Sequence, residues 1–388
     1  MTIKQAIAKL KRSNGEAATF HQLRALGPAA AEGLLDELSE GRLREKLLLS
    51  SALIFVSGPE TVPALIAGAR SGKIHARIAA MRALCTVADE RVFDFLVDGA
   101  RNQRGLAVEG LGDLGDARAL DPLRELAREI MQGATSPASF ASALQELEES
   151  SDLDLLTDCA AAMGKLGCHD LAPHMCLLSA HRRDDGEDMD MGFLRARAME
   201  ALKGLVAPEL LGAARLGLED PYLLVAEYAL DVLTLLGERR AVELLVRAAT
   251  HDDSMIAGKA YNCLQTVTGE RPLGRDAEVP YDAAALARWW DERTDRFAPG
   301  VCYSAGQPLW IPSLFAGLED PHRQDPTLDD LRIITGVDFA AGIAPNWWEV
   351  VGPVERATRW WSQEQQRFEA GGLFKYGRRQ DLAALVPA

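Results

Sequence analysis

The sequence predicts an all-α fold: an α-solenoid of stacked helix pairs with a duplicated helical C-terminal module. Three observations lead there. Hydrophobic residues are 48% of the 388 but aromatics only 6%, so Ala and Leu, both strong helix formers, must supply most of the core. A block of about 20 residues recurs along the chain, the second copy about 31 residues after the first, within the range of periods typical of repeat architectures. Within each block the apolar residues follow the i, i+3, i+4, i+7 rhythm of one helix face.

The chain opens on MTIKQAIAKLKR. Ile3, Ile7 and Leu10 form one stripe, with Lys4, Lys9, Lys11 and Arg12 on other faces, as an end unit with a polar outer surface requires. Docking on a membrane or a partner is the minor alternative for this basic stretch. No apolar core of signal-peptide length follows, and no run of about 18 apolar residues occurs, so a cytoplasmic chain without membrane insertion is expected. The repeats then read SSALIFVSGPETVPALIAGA, MRALCTVADERVFDFLVDGA and VEGLGDLGDARALDPLRELA. After an interruption come AAMGKLGCHDLAPHMCLLSA, MEALKGLVAPELLGAARLGL and YALDVLTLLGERRAVELLVRA.

Each block is a helix, a tight turn and a second helix. Val62, Leu65 and Ile66 set the apolar face of one second helix; Phe93, Leu96 and Val97 occupy the same places in the next, then Leu120 and Leu123, and later Val242 and Leu245. Asp89 and Asp116 stand where second helices begin, as capping acids rather than catalytic ones. Pro59 and Pro208 sit in comparable turns, where a missing N–H costs little. No single pair can bury its own apolar faces, so the pairs must stack. These blocks resemble the HEAT-like repeats first noted in phycobilisome lyases, over roughly residues 17–270. The resemblance implies fold rather than lyase chemistry, since many bacterial proteins with such repeats have no pigment to attach.

Two stretches break the spacing. Residues 131–151, MQGATSPASFASALQELEESS, begin as a Gly/Ser/Pro linker and end as a helix, and separate repeats 1–130 from repeats 152–270. RRDDGEDMDMG places Asp184, Asp185, Glu187, Asp188 and Asp190 within seven residues. That spacing does not fit an EF-hand loop. A solvated inter-helix loop is the plain expectation, and a docking site for a basic partner the functional one.

Residues 271–388 form the last domain, and they hold a Trp-Trp unit twice. ARWWDERTDRFAPGVCYSAGQ and TRWWSQEQQRFEAGGLFKYGR align without a gap at an offset of 71. Trp289, Trp290, Arg296, Phe297, Gly300, Tyr303 and Gly306 match Trp360, Trp361, Arg367, Phe368, Gly371, Phe374 and Gly377. Upstream, Thr268-Gly269 matches Thr335-Gly336 at an offset of 67. Thr-Gly is expected to end a helix, with Gly in the left-handed capping conformation. Trp289 and Phe297, eight apart, are expected on one helical face as anchors of a small core. Trp290 and Trp361, the second of each pair, are expected to be the exposed ones and candidates for partner binding, together with the acidic run.

This signature resembles a bacterial family of HEAT-repeat proteins that carry a TITG-type helix end, an acidic or Pro-rich loop and then WW…RF..G.RY..G.P. Here it appears as Thr266–Gly269, Trp289, Trp290, Arg296, Phe297, Gly300, Tyr303, Gly306 and Pro308. Cys302 stands where the family has Arg before the Tyr, and the tail after Pro308 departs from it, being the second copy. Some members are encoded near type VI secretion components, so the resemblance implies an accessory or adaptor role. It brings no catalytic residues.

The formal net charge of −15 argues against nucleic acid and anionic membranes as partners, because phosphate neutralisation needs clustered Lys and Arg. Six cysteines without a CxxC pair fit reduced thiols. Cys159, Cys168, His169, His174, Cys176 and His181 are the one metal-like concentration, but they lack close ligand pairs, and Cys159 and Cys176 fall at core positions. GLGDLGD lies at a repeat turn without the strand a nucleotide loop requires. No cofactor, metal or catalytic residue is therefore assigned. The sequence reads as a non-catalytic scaffold or adaptor for another protein. The alternative, a lyase-type or other enzyme in an inter-repeat groove, requires a pocket with converging polar groups and a perturbed titratable residue.

Overall fold

The structure is a computed structural model describing all residues except 1, 14–16, 39–42, 103–104, 148–151, 183–188, 275–278, 280, 321–322, 338, 340–352 and 383–388. It is all-α, with HEAT-like helix pairs and, among the described residues, two small hairpins. The helices fall into two compact units. One spans residues 1–126 with the described part of 338–357, the other 127–337 with the described part of 358–388.

The first unit runs α1 (Ile3–Arg12), α2 (Ala17–Arg24), α3 (Pro28–Leu38), α4 (Leu43–Val56), α5 (Val62–Arg70), α6 (Ile74–Leu84), α7 (Glu90–Arg101) and α8 (Gly105–Leu114), then enters α9 (Leu120–Ile130). α2, α4, α6 and α8 pack in one row, and α1, α3, α5 and α7 in the other. Leu34, Leu38, Leu49, Leu53, Leu65, Leu84 and Leu96 fill the space between the rows with no exposed surface. Each such Leu is worth about 1.5–3 kcal/mol, enough to hold short helices that would be marginal alone. On α1, Ile7 and Leu10 are buried, and Lys11 pairs with Glu37 at 2.6 Å and Glu45 at 3.2 Å. Asp89 caps α7 by accepting from the Arg91 amide at 2.9 Å, and the Arg91 guanidinium beside it holds its carboxyl down to about 2. Asp116 accepts from the Arg118 amide, and that guanidinium stacks over Phe93 at 4.3 Å.

The second unit continues the plan. Its helices are α10 (Pro137–Leu147), α11 (Leu153–Lys165), α12 (Ala172–Ala180), α13 (Met189–Leu202), α14 (Leu210–Leu218), α15 (Leu223–Leu236), α16 (Arg239–Ala248) and α17 (Ser254–Thr268). There follow α18 (Ala283–Asp291), α19 (Ile311–Glu319), α20 (Gln324–Thr335) and α21 (Pro353–Glu364), the last reaching across the division between the units. α11, α13, α15 and α17 form one row; α10, α12, α14, α16 and α18 form the other. α10 lies inside the 131–151 interruption and buries Phe140, Leu144 and Leu147 against α12. Short turns make successive helices antiparallel, so the row α11-α13-α15-α17 has all its N-termini along one edge and all its C-termini along the other. Among the described residues no single helix is long and apolar enough to cross a membrane.

Candidate functional site

The two edges of the second unit are finished differently. Along the C-terminal edge lie two hairpins, β1 (Tyr303–Ser304) with β2 (Gln307–Pro308), and β3 (Leu373–Lys375) with β4 (Arg378–Gln380). Each turns through two residues with positive φ: Ala305 at 50° and Gly306 at 74°, Tyr376 at 48° and Gly377 at 72°. That is the backbone a two-residue hairpin needs to match strand twist.

Each turn serves as the cap of a helix. α17 ends at Gly269, φ 71°, leaving its last carbonyls without intrahelical donors. The Ala305 amide donates to the Thr266 carbonyl at 2.8 Å, and the Gly306 amide to that of Val267 at 2.9 Å. At the end of α20, the Tyr376 amide donates to Ile333 at 2.6 Å and the Gly377 amide to Ile334 at 2.9 Å. The Thr hydroxyls of both Thr-Gly pairs turn back onto their own helices, Thr268 to the Leu264 carbonyl and Thr335 to that of Leu331. The approach is so close that a Cβ on Gly306 would lie 2.4 Å from the Thr268 carbonyl oxygen, and one on Gly377 2.7 Å from that of Thr335.

The aromatic residues build the base of each hairpin, and here two expectations are corrected. α18 stops at Asp291 and a 3-10 turn follows, so Phe297 leaves the helical face of Trp289. Its ring packs on Trp290 at 5.3 Å and on Tyr303 at 4.8 Å. Trp290 and Trp361 are therefore buried, 7% and 9% exposed, and not the outward-facing members of their pairs. Phe368 likewise meets Trp361 at 6.0 Å and Phe374 at 4.9 Å. Trp289 instead turns its indole N–H to Glu270 at 3.1 Å, a carboxylate that also binds Arg293 and Arg296.

The hairpins run back along the row of helix ends. The Tyr303 amide donates to the carbonyl of Gly237 after α15, the Tyr376 ring lies over Gly204 after α13, and Arg378 covers Gly167 after α11. Lys375 is driven inward. Its ammonium is buried and donates to the Lys203 carbonyl; burial pushes its pKa down to about 8. Asp330, half-buried nearby on α20, is pushed up to about 7, again mainly by burial. A cavity of about 570 Å³ lies beside the second hairpin, lined by Gly300, Val301, Gly371, Leu373, Arg379 and neighbours. Neither Lys375 nor Asp330 lines it. The perturbed groups and the cavity thus do not make a common site.

Along the opposite edge the first turns of α13, α15 and α17, and the second turn of α13, carry exposed apolar side chains. Met189 is 76% exposed, Phe193 47%, Leu223 37% and Met255 62%. Met189, Leu223 and Met255 succeed one another at intervals of 34 and 32 residues, the repeat period. Beneath them, Arg195 and Asp220 form a buried two-pronged pair at 2.8 and 3.0 Å, and Asp220 also accepts from the Tyr222 amide. Asp253 caps α17 through the amides of Met255 and Ile256. This ladder is not among the sites expected from the sequence, although a large apolar residue just after each acidic turn, at the repeat period, was its signal.

Of the acidic run, Asp190 is exposed in the first turn of α13, beside Met189. Asp184, Asp185, Glu187 and Asp188 lie outside the described residues. Cys159, Cys168, Cys176 and His174 are buried, and His174 donates from Nε2 to the Thr135 carbonyl at 3.0 Å with its ring edge on Phe140. Burial raises the Cys159 and Cys176 thiols to about 12. Among the described residues no three His, Cys, Asp or Glu side chains are grouped to hold a metal ion.

Comparison with known families agrees with the repeat geometry. A family model described as PBS lyase HEAT-like repeat matches residues 103–129, the segment of α8 and α9. No curated protein matches the chain.

Proposed function

We propose that this chain is a non-catalytic scaffold or adaptor whose stacked repeats bind another protein. The observation that carries the reading is the unequal finish of the second unit. Its C-terminal edge is sealed by the hairpins, while its N-terminal edge displays Met189, Phe193, Leu223 and Met255 in register. Apolar side chains repeated at the period of the stack form a continuous contact surface rather than scattered exposure. We also propose that residues 271–388 are one module, two copies of a Trp-Trp unit that seals and stiffens the stack. Its support is the recurrence of the left-handed residues at the sequence offset of 71. The narrower role, accessory to a bacterial secretion system, draws its support from the C-terminal signature alone.

The test is a photo-crosslinking amino acid placed at Met255 or Phe193 of the full chain in the source organism. The expected result is a discrete protein adduct at both positions and none at Glu129, an exposed residue away from the ladder. Absence of adducts at the ladder positions refutes the reading.

A further inference from the structure

We propose that the second hairpin is a proton-released strap: it lies over the ends of α11 and α13 while His169 is neutral, and protonation of His169 lifts it off them.

The hairpin is seated by close contacts on two turns. β3 and β4 are three residues each. A Cβ on Gly167, after α11, would collide with the Arg378 side chain, and one on Gly204, after α13, would lie 2.5 Å from the Tyr376 hydroxyl. Beside Gly204, the buried Lys375 ammonium donates to the Lys203 carbonyl. A hairpin this small can open without the rest of the unit unfolding. Opening would uncover the ends of α11 and α13 and take away the Tyr376 and Gly377 amides that cap α20. The sealing of this edge is thereby conditional.

His169 sets the condition. It stands in the turn two residues after Gly167, and its Nδ1 and Nε2 are both buried with no hydrogen-bond partner among the described residues. A neutral ring leaves one N–H unanswered there; a protonated ring would leave two, while facing the hairpin's cations. Water answers both once the hairpin is up. The charges that bear on the ring are Lys375 from β3, Arg378 from β4 and, in the opposite sense, the exposed Asp170 from its own turn. Those that bear on Lys375 are Cys302 before β1, Asp330 on α20 and Lys203 after α13. Burial first, then the two hairpin cations, hold the His169 pKa below its ordinary 6.5 in the closed form.

An imidazole with a lowered pKa gives up its proton on closure, so closure is favoured above pH 6.5 and weakens as pH falls below it. Lys375 is charged in both forms below its closed value of about 8 and adds no pH dependence in that window. Asp330, pushed up to about 7, works in the opposite sense wherever the hairpin contributes to its burial, so the proteins compared must share it.

The test is hydrogen exchange in the full chain, wild type against His169→Phe, read at the Tyr376 and Gly377 amides, which donate to Ile333 and Ile334. At each pH the intrinsic exchange rates and the Asp330 contribution are common to both proteins, so the wild-type to variant ratio of opening constants isolates His169. Between pH 7.5 and 5.5 that ratio should rise, towards a ceiling of about tenfold set by one proton and an open-state pKa of 6.5. The Ala305 and Gly306 amides of the first hairpin, which cap α17, should show a flat ratio. If His169→Phe does not fold, Arg378→Gln, at an exposed position, takes its place. Removing that cation should move the His169 titration, followed by NMR of labelled histidine, up towards 6.5 and reduce the pH dependence of exchange. A ratio at Tyr376 and Gly377 that stays flat or falls, or that rises equally in both hairpins, overturns the strap. So does a wild-type His169 titration at or above 6.5.

Discussion

Replacing Gly306 by Ala separates the two reasons a glycine is needed at the hairpin turn. Gly306 has φ 74°, where an L-residue pays about 1–2 kcal/mol. Its Cβ would also sit 2.4 Å from the Thr268 carbonyl oxygen, so the hairpin must retreat from α17. Retreat breaks the bonds from the Ala305 amide to Thr266 and from the Gly306 amide to Val267, each worth about 0.5–1.5 kcal/mol. The expected loss is therefore about 2–5 kcal/mol. Gly300 is the internal control: its φ is also 74°, but a Cβ there meets nothing within 4 Å, so Gly300→Ala should cost only the backbone part, about 1–2 kcal/mol. Stacked repeats open locally, so the assay is native-state hydrogen exchange at the Ala305 and Gly306 amides rather than global melting. The difference of about 1–3 kcal/mol reads as roughly five- to hundredfold faster exchange in Gly306→Ala than in Gly300→Ala. Equal exchange in the two variants would refute the claim that the turn caps the helix by close backbone approach.

Three further outcomes are expected. Lys375→Met should stabilise the protein at neutral pH, because it removes a buried ammonium held by one carbonyl. The folded pKa of Lys375 is about 8 against an ordinary 10.5, so between those values the unfolded chain binds the extra proton, and wild-type stability should rise with pH in urea titrations while that of the variant does not. Asp220→Ala strands Arg195 in the interior and should cost about 3–5 kcal/mol, visible as a lower urea midpoint, whereas substituting exposed Asp252 should change it by about 0.5 kcal/mol or less. At Glu270, burial opposes the charge but the hydrogen bonds from Arg296, Trp289 and Arg293 outweigh it, so the folded carboxyl titrates below its usual 4.5. Its contribution is complete above pH 4.5 and lost as pH falls through the lower folded value; Glu270→Gln should remove that acid dependence, followed by tryptophan fluorescence.

Part of the candidate site could be read in the residues alone. The Thr-Gly pairs end α17 and α20, with the glycines left-handed as a capping position demands. The Trp faces could not be read this way. An adjacent-position rule on an ideal helix makes Trp290 the exposed partner, but α18 ends one residue later and the chain folds Phe297 onto Trp290. The early stop of α18 at Asp291, and the 3-10 turn beyond it, overrode ideal helix geometry. The buried Lys375 was equally hidden, since a lysine in a short hairpin reads as solvated until the hairpin is laid over Lys203.

The sequence by itself determined the helices, their pairing and their turns, because those arise from local periodicity, capping chemistry and the few residues that tolerate positive φ. Only the tertiary structure decided which edge of the second unit is covered. The hairpins come from residues 303–308 and 373–380, yet their side chains reach helix ends as far back as Gly167, just after α11. No local pattern encodes a contact between segments so far apart in the chain. It is that long-range closure that seals one edge and leaves Met189, Phe193, Leu223 and Met255 exposed on the other.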